Sequence, residues 1–288
     1  MATAREIKRR IKSIKNTAQV TRAMETIAAS RMRRAQQQVL SSRPYSKKAW
    51  EVLTYLARLP QSGEAVHPLL QQRQEKSIGL VLITADRGLA GGLNSNMIRK
   101  AVSFLKEKDL PTQVIAVGKK GRDWMVRYGP PLRASFVNLG DRPTAVDIAP
   151  IARIVIEDYI NRVYDGVYVG FTDFINTLRQ EPTIFKLLPI EPAEPTVPMA
   201  PDYIFEPDMN TVLDTVLRQF TEIQILQAVY EAIASEQSAR MVAMRNATEA
   251  AEDLIADLTL SYNKARQQSI TRELLDITGA SEAMKKSA

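Results

Sequence analysis

All 15 prolines and 11 of the 12 glycines of this 288-residue chain fall between Pro44 and Pro207, and residues 1–43 and 208–278 contain neither. A helix interior disfavours these two residues by about 1 kcal/mol for glycine and about 3 kcal/mol for proline relative to alanine. Both ends are therefore free to be helical throughout. At 1.5 Å per residue the C-terminal stretch would reach about 105 Å and the N-terminal one about 60 Å. A body of about 150 residues has a radius of gyration of only ~15 Å. Helices of that length are expected to project from such a body and to pair with each other.

Charge supports the pairing. Residues 1–50 carry 13 Lys/Arg against Glu6 and Glu25, a net +11, whereas residues 208–288 carry 8 basic and 12 acidic residues, a net −4. The middle, 51–207, has 18 of each sign. Oppositely charged helices suit an antiparallel pair.

The N-terminal helix opens on Thr3-Ala4-Arg5-Glu6, the spacing of a capping box. Ile7, Ile11, Ile14 and Ala18 then step by 4, 3 and 4, and Met24, Ile27 or Ala28, Met32, Ala35 and Val39 continue the stripe. So narrow a seam fits a coiled coil. The same segment is basic and poor in acids, as an organellar presequence would be. Because its apolar period runs on unbroken, it is read as mature structure. Pro44 is expected to interrupt the helix before Trp50–Leu59 resumes it. The C-terminal helix is expected to start at an Asp208 or Asn210 cap. Its seam runs through Leu213, Leu217, Phe220, Ile223, Tyr230, Ile233, Met241, Met244, Thr248, Ala251, Leu258, Tyr262 and Ala265, and Gly279 is expected to stop it.

Between the ends the pattern becomes short and β-rich. Residues 78–84, 113–117, 134–137, 166–171 and 183–188 read as strands, with helices near 96–108 and 146–163. Such alternation implies an open, largely parallel sheet covered by helices. The fold class is thus α/β: a long antiparallel coiled coil of terminal helices and a central Rossmann-like domain. The expected boundaries are 1–59, 60–207 and 208–288. Prolines 189, 192, 195, 198 and 201 recur with the polyproline II period, as a stiff connector or a ligand for a proline-binding adaptor would.

Chemistry is sparse. There is no cysteine, which excludes disulfides, thiol catalysis, Cys-ligated zinc and iron–sulfur clusters and fits a reducing compartment. The single histidine, His67, lies in a loop-like run and reads as structural or solvated. No stretch has the ~18–20 apolar residues a membrane span needs. The run from Thr84 to Asn94 is rich in glycine and follows a strand, so it could cradle a phosphate. Its spacing fits neither established nucleotide fingerprint, and a tight turn with glycines at positive φ is the alternative. Glu157-Asp158 reads as a solvated helix face, because adjacent helical residues do not face each other. Lys8-Arg9-Arg10-Ile11-Lys12 could meet phosphates, but it lacks interleaved aromatics and sits on the seam pattern. The methionines at 24, 32, 241 and 244 read as packing or as a sliding surface. Three classes stay open on these grounds: a mechanical subunit, a nucleotide-dependent α/β enzyme and a basic coiled-coil nucleic-acid binder.

Several segments resemble the γ subunits of F-type ATP synthases. They are Ile7 to Thr17, Thr21-Arg22-Ala23-Met24-Glu25, Ala28 to Met32, Asp86 to Asn94, Tyr203 to Pro207, Ser235 to Met244, Tyr262 to Gln267 and Ile270 to Leu274. Ala90 stands where relatives often carry cysteine or another small residue, and Gly279-Ala280 comes one residue earlier than usual. A thiol switch of the chloroplast kind has no residues to act through. The resemblance implies a non-catalytic rotor shaft, one copy per complex. It would be surrounded by the α3β3 hexamer of F1, with its body resting on the c-subunit rotor ring beside the ε subunit. Such a shaft would couple proton flow through that ring to sequential conformational change of the catalytic β subunits. It would sit at the cytoplasmic face of a bacterial cell membrane, peripheral and not embedded, with no nucleic acid, cofactor or metal.

Residue by residue, the resemblance assigns Arg266 and Gln267 to β-subunit loops near the shaft's upper end. Met24 with Arg31, Arg33 and Arg34 matches a collar facing acidic β loops. Tyr203 and Glu206 match the foot near rotor ring and ε, and Arg87 matches a loop that contacts the ring or neighbouring subunits.

Overall fold

The computed structural model describes residues 3–56, 67–191, 206 and 208–287. Helix α1 spans Ala4–Leu56. Its capping box is present: the Thr3 amide donates to Glu6 Oε2 at 2.9 Å and the Glu6 amide to Thr3 Oγ1 at 3.4 Å. Pro44 lies inside α1 and does not interrupt it, against the sequence expectation. Leu40, whose carbonyl the proline leaves without a donor, is exposed, as is Pro44. Water can take that carbonyl, which lowers the cost of the break.

The body is a five-stranded sheet in the order β3-β2-β1-β4-β5, made of β1 Ile78–Ile83, β2 Thr112–Val117, β3 Leu132–Phe136, β4 Gly166–Phe174 and β5 Gln180–Leu188. The first four pair in parallel, and β5 adds an antiparallel edge. All six residues of β1 are buried because both sheet faces are covered. Ile78, Leu80 and Leu82 meet the layer of α2 (Leu93–Lys108) and α3 (Lys119–Tyr128); Val81 and Ile83 meet the layer of α4 (Ala145–Ile160). Helix α3, Lys-Lys-Gly-Arg-Asp-Trp-Met-Val-Arg-Tyr, has no counterpart among the sequence-based elements. Half its residues are charged, and only Gly121 and Met125 are fully buried, too little for a legible period.

Helix α5 covers Met209–Ser287. Asp208 caps it, accepting from the Thr211 amide at 2.9 Å and its hydroxyl at 2.7 Å. Gly279 does not end it, a second correction. A lone glycine only weakens a helix by ~1 kcal/mol, and this one has no positive φ. Residues from Leu213 to Val229 belong to the body core, with Leu217, Phe220, Ile225 and Ala228 buried among α4 and the sheet.

The chain divides into two compact units, one with α1 up to Ile27 and α5 from Met241, the other Ala28–Arg240. In the first, the hydroxyls of Thr21 and Thr248 meet in the seam at 2.7 Å, and Arg22 pairs with Glu252. In the second, Ala35 and Val39 of α1 pack on Ala234 of α5, with Tyr230 and Ile233 alongside. In each unit, then, a stretch of α1 lies against a stretch of α5. Of the alternatives at the seam, Ala28 is buried and Ile27 exposed.

Candidate functional site

In open α/β sheets ligands gather beyond the carboxyl ends of the strands, where the strand order reverses. Here that point lies between β1 and β4, and the glycine-rich run of residues 84–94 leads away from it. The loop is held by its own polar groups. Thr84 Oγ1 donates to Val117 O and accepts from the Gly121 amide at 2.8 Å. Asp86 accepts from the Lys119 and Asn138 amides at 3.0 and 2.9 Å, and Asn94 from the Ala85 amide at 3.0 Å. Leu89 and Gly91 turn the chain at φ 63° and 56°.

Helix α5 fills the crevice. Val229, Ala232, Ile233 and Glu236 close it against Thr84, Asp86, Asn94 and Thr172, leaving about 50 Å³. Small-molecule sites usually occupy ~300 Å³ or more. The geometry is that of a turn locked onto a helix, the second of the two readings open from sequence. Arg240 completes the lock by donating to Gly88 O at 3.2 Å and to Glu236 at 2.7 Å. Burial pushes the Glu236 carboxyl up, Arg240 opposes it, and Asp141 and Asp86 add to the rise.

Three further side chains of α5 fasten it to the body: Tyr230 OH donates to Pro143 O at 2.9 Å, Ser235 to Thr172 O at 3.0 Å and Ser238 to Thr177 O at 2.8 Å. Sequence reasoning missed these roles. Their signal is the polar run Ser235-Glu236-Gln237-Ser238 inside an otherwise apolar stripe, which a helix meeting only another helix would not need.

The residues singled out from sequence are distributed as follows. Met24 is half-buried on α1, and Arg266 and Gln267 are exposed on α5. Arg33 and Arg34 are exposed, while Arg31 Nη1 lies 2.7 Å from Asp141 Oδ2 of the body. Arg87 and Glu206 are exposed; Tyr203 and most of the proline-rich connector lie outside the described residues. His67 is structural: its Nδ1 accepts from the Leu69 amide at 3.2 Å, so Nε2–H donates to Asp214 of α5 at 3.1 Å. Met32 and Met244 are buried packing residues. Asp158 departs from its reading as a solvated residue. It is 5% exposed and takes both Arg133 nitrogens at 2.8 and 3.0 Å, because α4 turns that position under β3 while Glu157 stays outside. Among the described residues no three His, Asp or Glu side chains are grouped to hold a metal, and no helix is long and apolar enough to cross a membrane.

The ATP synthase family model matches residues 3–284. Similar curated proteins include the ATP synthase gamma chain of Dehalococcoides mccartyi, 50% identical over 284 residues that cover 99% of this chain and 100% of that one. The gamma chain of Roseiflexus castenholzii is 48% identical, covering 99% of both chains, and that of Legionella pneumophila is 40% identical, covering 99% and 100%. Among solved structures, a chain of the Euglena gracilis mitochondrial ATP synthase OSCP/F1/c-ring assembly superposes with a TM-score of 0.67 at 22% identity, covering 98% of this chain and 94% of that one. A chain of that organism's ATP synthase rotor gives 0.64 at 21% identity, covering 93% and 98%. At that identity the likeness speaks for the fold.

Proposed function

Because the chain belongs to the family of ATP synthase gamma chains, we propose that it is the central shaft of an F-type ATP synthase. It carries rotation between a ring of c subunits in the membrane and the ring of alternating α and β subunits that holds the nucleotide sites. Its own residues do no bond chemistry. An asymmetric shaft presents a different face to each of three equivalent β subunits, and turning it shifts their conformations in sequence. That coupling requires only contact energies that differ between states. The shaft is peripheral to the membrane at the cytoplasmic face of a bacterial cell, with one copy per complex and ε beside its body. Residues 1–59 and 208–288 supply the coiled coil and 60–207 the body.

The observation that carries this reading lies at the end of α5. Thr248 faces Thr21, and the residues that separate Thr21 from the start of α1 at Ala4 correspond to a stretch of α5 that ends near Ala265. Beyond it α5 has no α1 alongside, and every described residue from Arg266 to Gly279 is exposed. Ile270, Leu274, Leu275 and Ile277 are 45–66% exposed on this bare helix. An apolar row left in water calls for a surrounding surface, and a ring closing around the tip would supply it. Arg266 and Gln267, at the base of the row, suit polar contacts with β loops. Met24 suits the same ring lower on the shaft, and Arg33 and Arg34 suit its acidic loops. Long-range attraction without deep interdigitation fits a bearing that must keep turning. Glu206 and Tyr203 are assigned to the foot against ε and the c ring, and Arg87 to a loop contact with neighbouring subunits.

Affinity purification through a tag on this chain, from detergent-solubilised membranes, tests the reading. Subunits α, β, ε and c are expected to come with it, and a bead on the chain should rotate when ATP is added. A chain recovered alone that itself binds ATP tightly would return it to the enzyme class.

A further inference from the structure

Arg31, Arg33 and Arg34 fall within four residues of one helix, yet the fold treats them differently. Arg33 and Arg34 are exposed, and Arg34 donates to the carbonyl of Ser30 one turn back on α1, at 3.4 Å. Arg31 turns to the body and meets Asp141 at 2.7 Å, with the two side chains 34% and 47% exposed.

The partner of Arg31 sits on a loop held at both flanks. Asp141 lies on the loop between β3 and α4, which turns at positive φ through Asn138 and Gly140. One flank of this loop is tied down where the Asn138 amide donates to Asp86, and the other where Pro143 accepts from Tyr230 of α5. Next along α1, Met32, Ala35 and Val39 are buried, the last two against Ala234 of α5. Surface ion pairs are usually weak because two mobile side chains must be ordered. Here hydrogen bonds hold the flanks of the loop and burial holds the neighbouring residues of α1, so the pair has less left to order. The local charges are paired in the same way: Arg240 answers Glu236 and Arg31 answers Asp141.

We propose that Arg31 is a positioning residue that fastens α1 to the body through Asp141, and that only Arg33 and Arg34 of the three face an outside partner. The tie concerns contacts inside one chain and stands apart from the shaft reading; the outward role of Arg33 and Arg34 rests on that reading. Together they separate a cluster that looks uniform in sequence into one internal tie and two outward cations.

Charge exchange in the full-length chain tests it, with the variants Arg31→Glu, Asp141→Arg and both together. The readout is amide hydrogen exchange of the 137–144 loop, with β1 as the control for global folding. Each single change is expected to raise exchange in the loop by about two- to fivefold, and the double variant to return it toward the original rate. Unchanged loop exchange in the single variants, or no recovery in the double, would overturn the proposal. If a reversed charge also loosens β1, the neutral pair Arg31→Gln and Asp141→Asn replaces it. Faster loop exchange in either supports the tie, and unaltered exchange in both refutes it.

Discussion

Gly118 holds φ at +96°, and a Cβ there would stand 2.0 Å from the carbonyl oxygen of Thr84. The close approach joins the end of β1 to the start of α3, where Thr84 receives the Gly121 amide. Gly118→Ala is expected to destabilise the fold by about 3 kcal/mol or more, through backbone strain and steric overlap together; urea unfolding measures it. A loss under ~1 kcal/mol would mean that the loop moves aside. Glu75 offers a test with pH. Burial opposes its charge, but hydrogen bonds from Lys108, Tyr168 and Lys186 outweigh burial and hold its carboxyl below the usual range. A carboxyl depressed on folding contributes stability above its unfolded pKa of ~4.3, and the contribution is lost as pH falls through the folded value. Glu75→Gln is expected to cost about 1–3 kcal/mol at pH 7, with the gap to the unmodified chain closing below about pH 4. Equal stability of the two at pH 7 would show that the cluster contributes nothing. At Met24, half-buried on a helix with exposed arginines, an added charge bears on the partner more than on the fold. Met24→Lys should leave the unfolding midpoint nearly unchanged while proton-driven ATP synthesis falls several-fold; undiminished synthesis would remove Met24 from the bearing surface.

Among the elements, the pairing of α1 and α5 is the least ordinary, because its seam contains two hydroxyls. Thr21 lies 2.7 Å from Thr248, and each also reaches a carbonyl of its own helix, Ala18 at 3.0 Å and Met244 at 2.9 Å. Two hydroxyls hold two protons for three possible bonds, so one back-bond is given up to make the bridge. The bridge sets axial register at the cost of one local bond. A double-mutant cycle of Thr21→Val and Thr248→Val should show a coupling of about 0.5–1.5 kcal/mol, and additive losses would deny the bridge. Strands and long helices were legible because burial repeats along them with a fixed period. Thr21 was not, since a threonine breaks an apolar stripe on paper and joins it only when a second threonine stands opposite. Helix α3 was illegible for a related reason: Gly121 is there because Thr84 leaves no room for a side chain, a constraint that comes from another strand.

For the molecule as a whole, the distribution of glycine and proline made both terminal helices legible, and the quoted segments pointed to the family that the comparisons then showed. How the candidate surfaces divide was not legible. The glycine-rich loop read as a phosphate cradle or a tight turn and is a socket for α5; the arginines of residues 31–34 looked like one patch and comprise an internal pair and two exposed cations. The bare end of α5 belongs to this scale, since its apolar row matters only against a surface that none of the described residues provides. Removing Tyr262 onward should leave the unfolding of the body unchanged, because its core ends well before that residue. The same truncation should lower the yield of assembled complex or its torque. An unaltered yield and torque would make the tip dispensable.

The amino-acid order alone settled that the ends are long helices, that the middle is a largely parallel α/β sheet and that the two ends carry opposite net charge. Those properties arise from backbone cost, side-chain period and net charge, all of which are local or summed along the chain. Tertiary structure decided that α5 packs into the body core between Leu213 and Val229, that Ser235, Ser238 and Arg240 bind backbone carbonyls far away in sequence, and that Arg31 pairs with Asp141. A polar side chain's role depends on which group ends up within about 3 Å of it, and in this chain those groups lie tens of residues away or more.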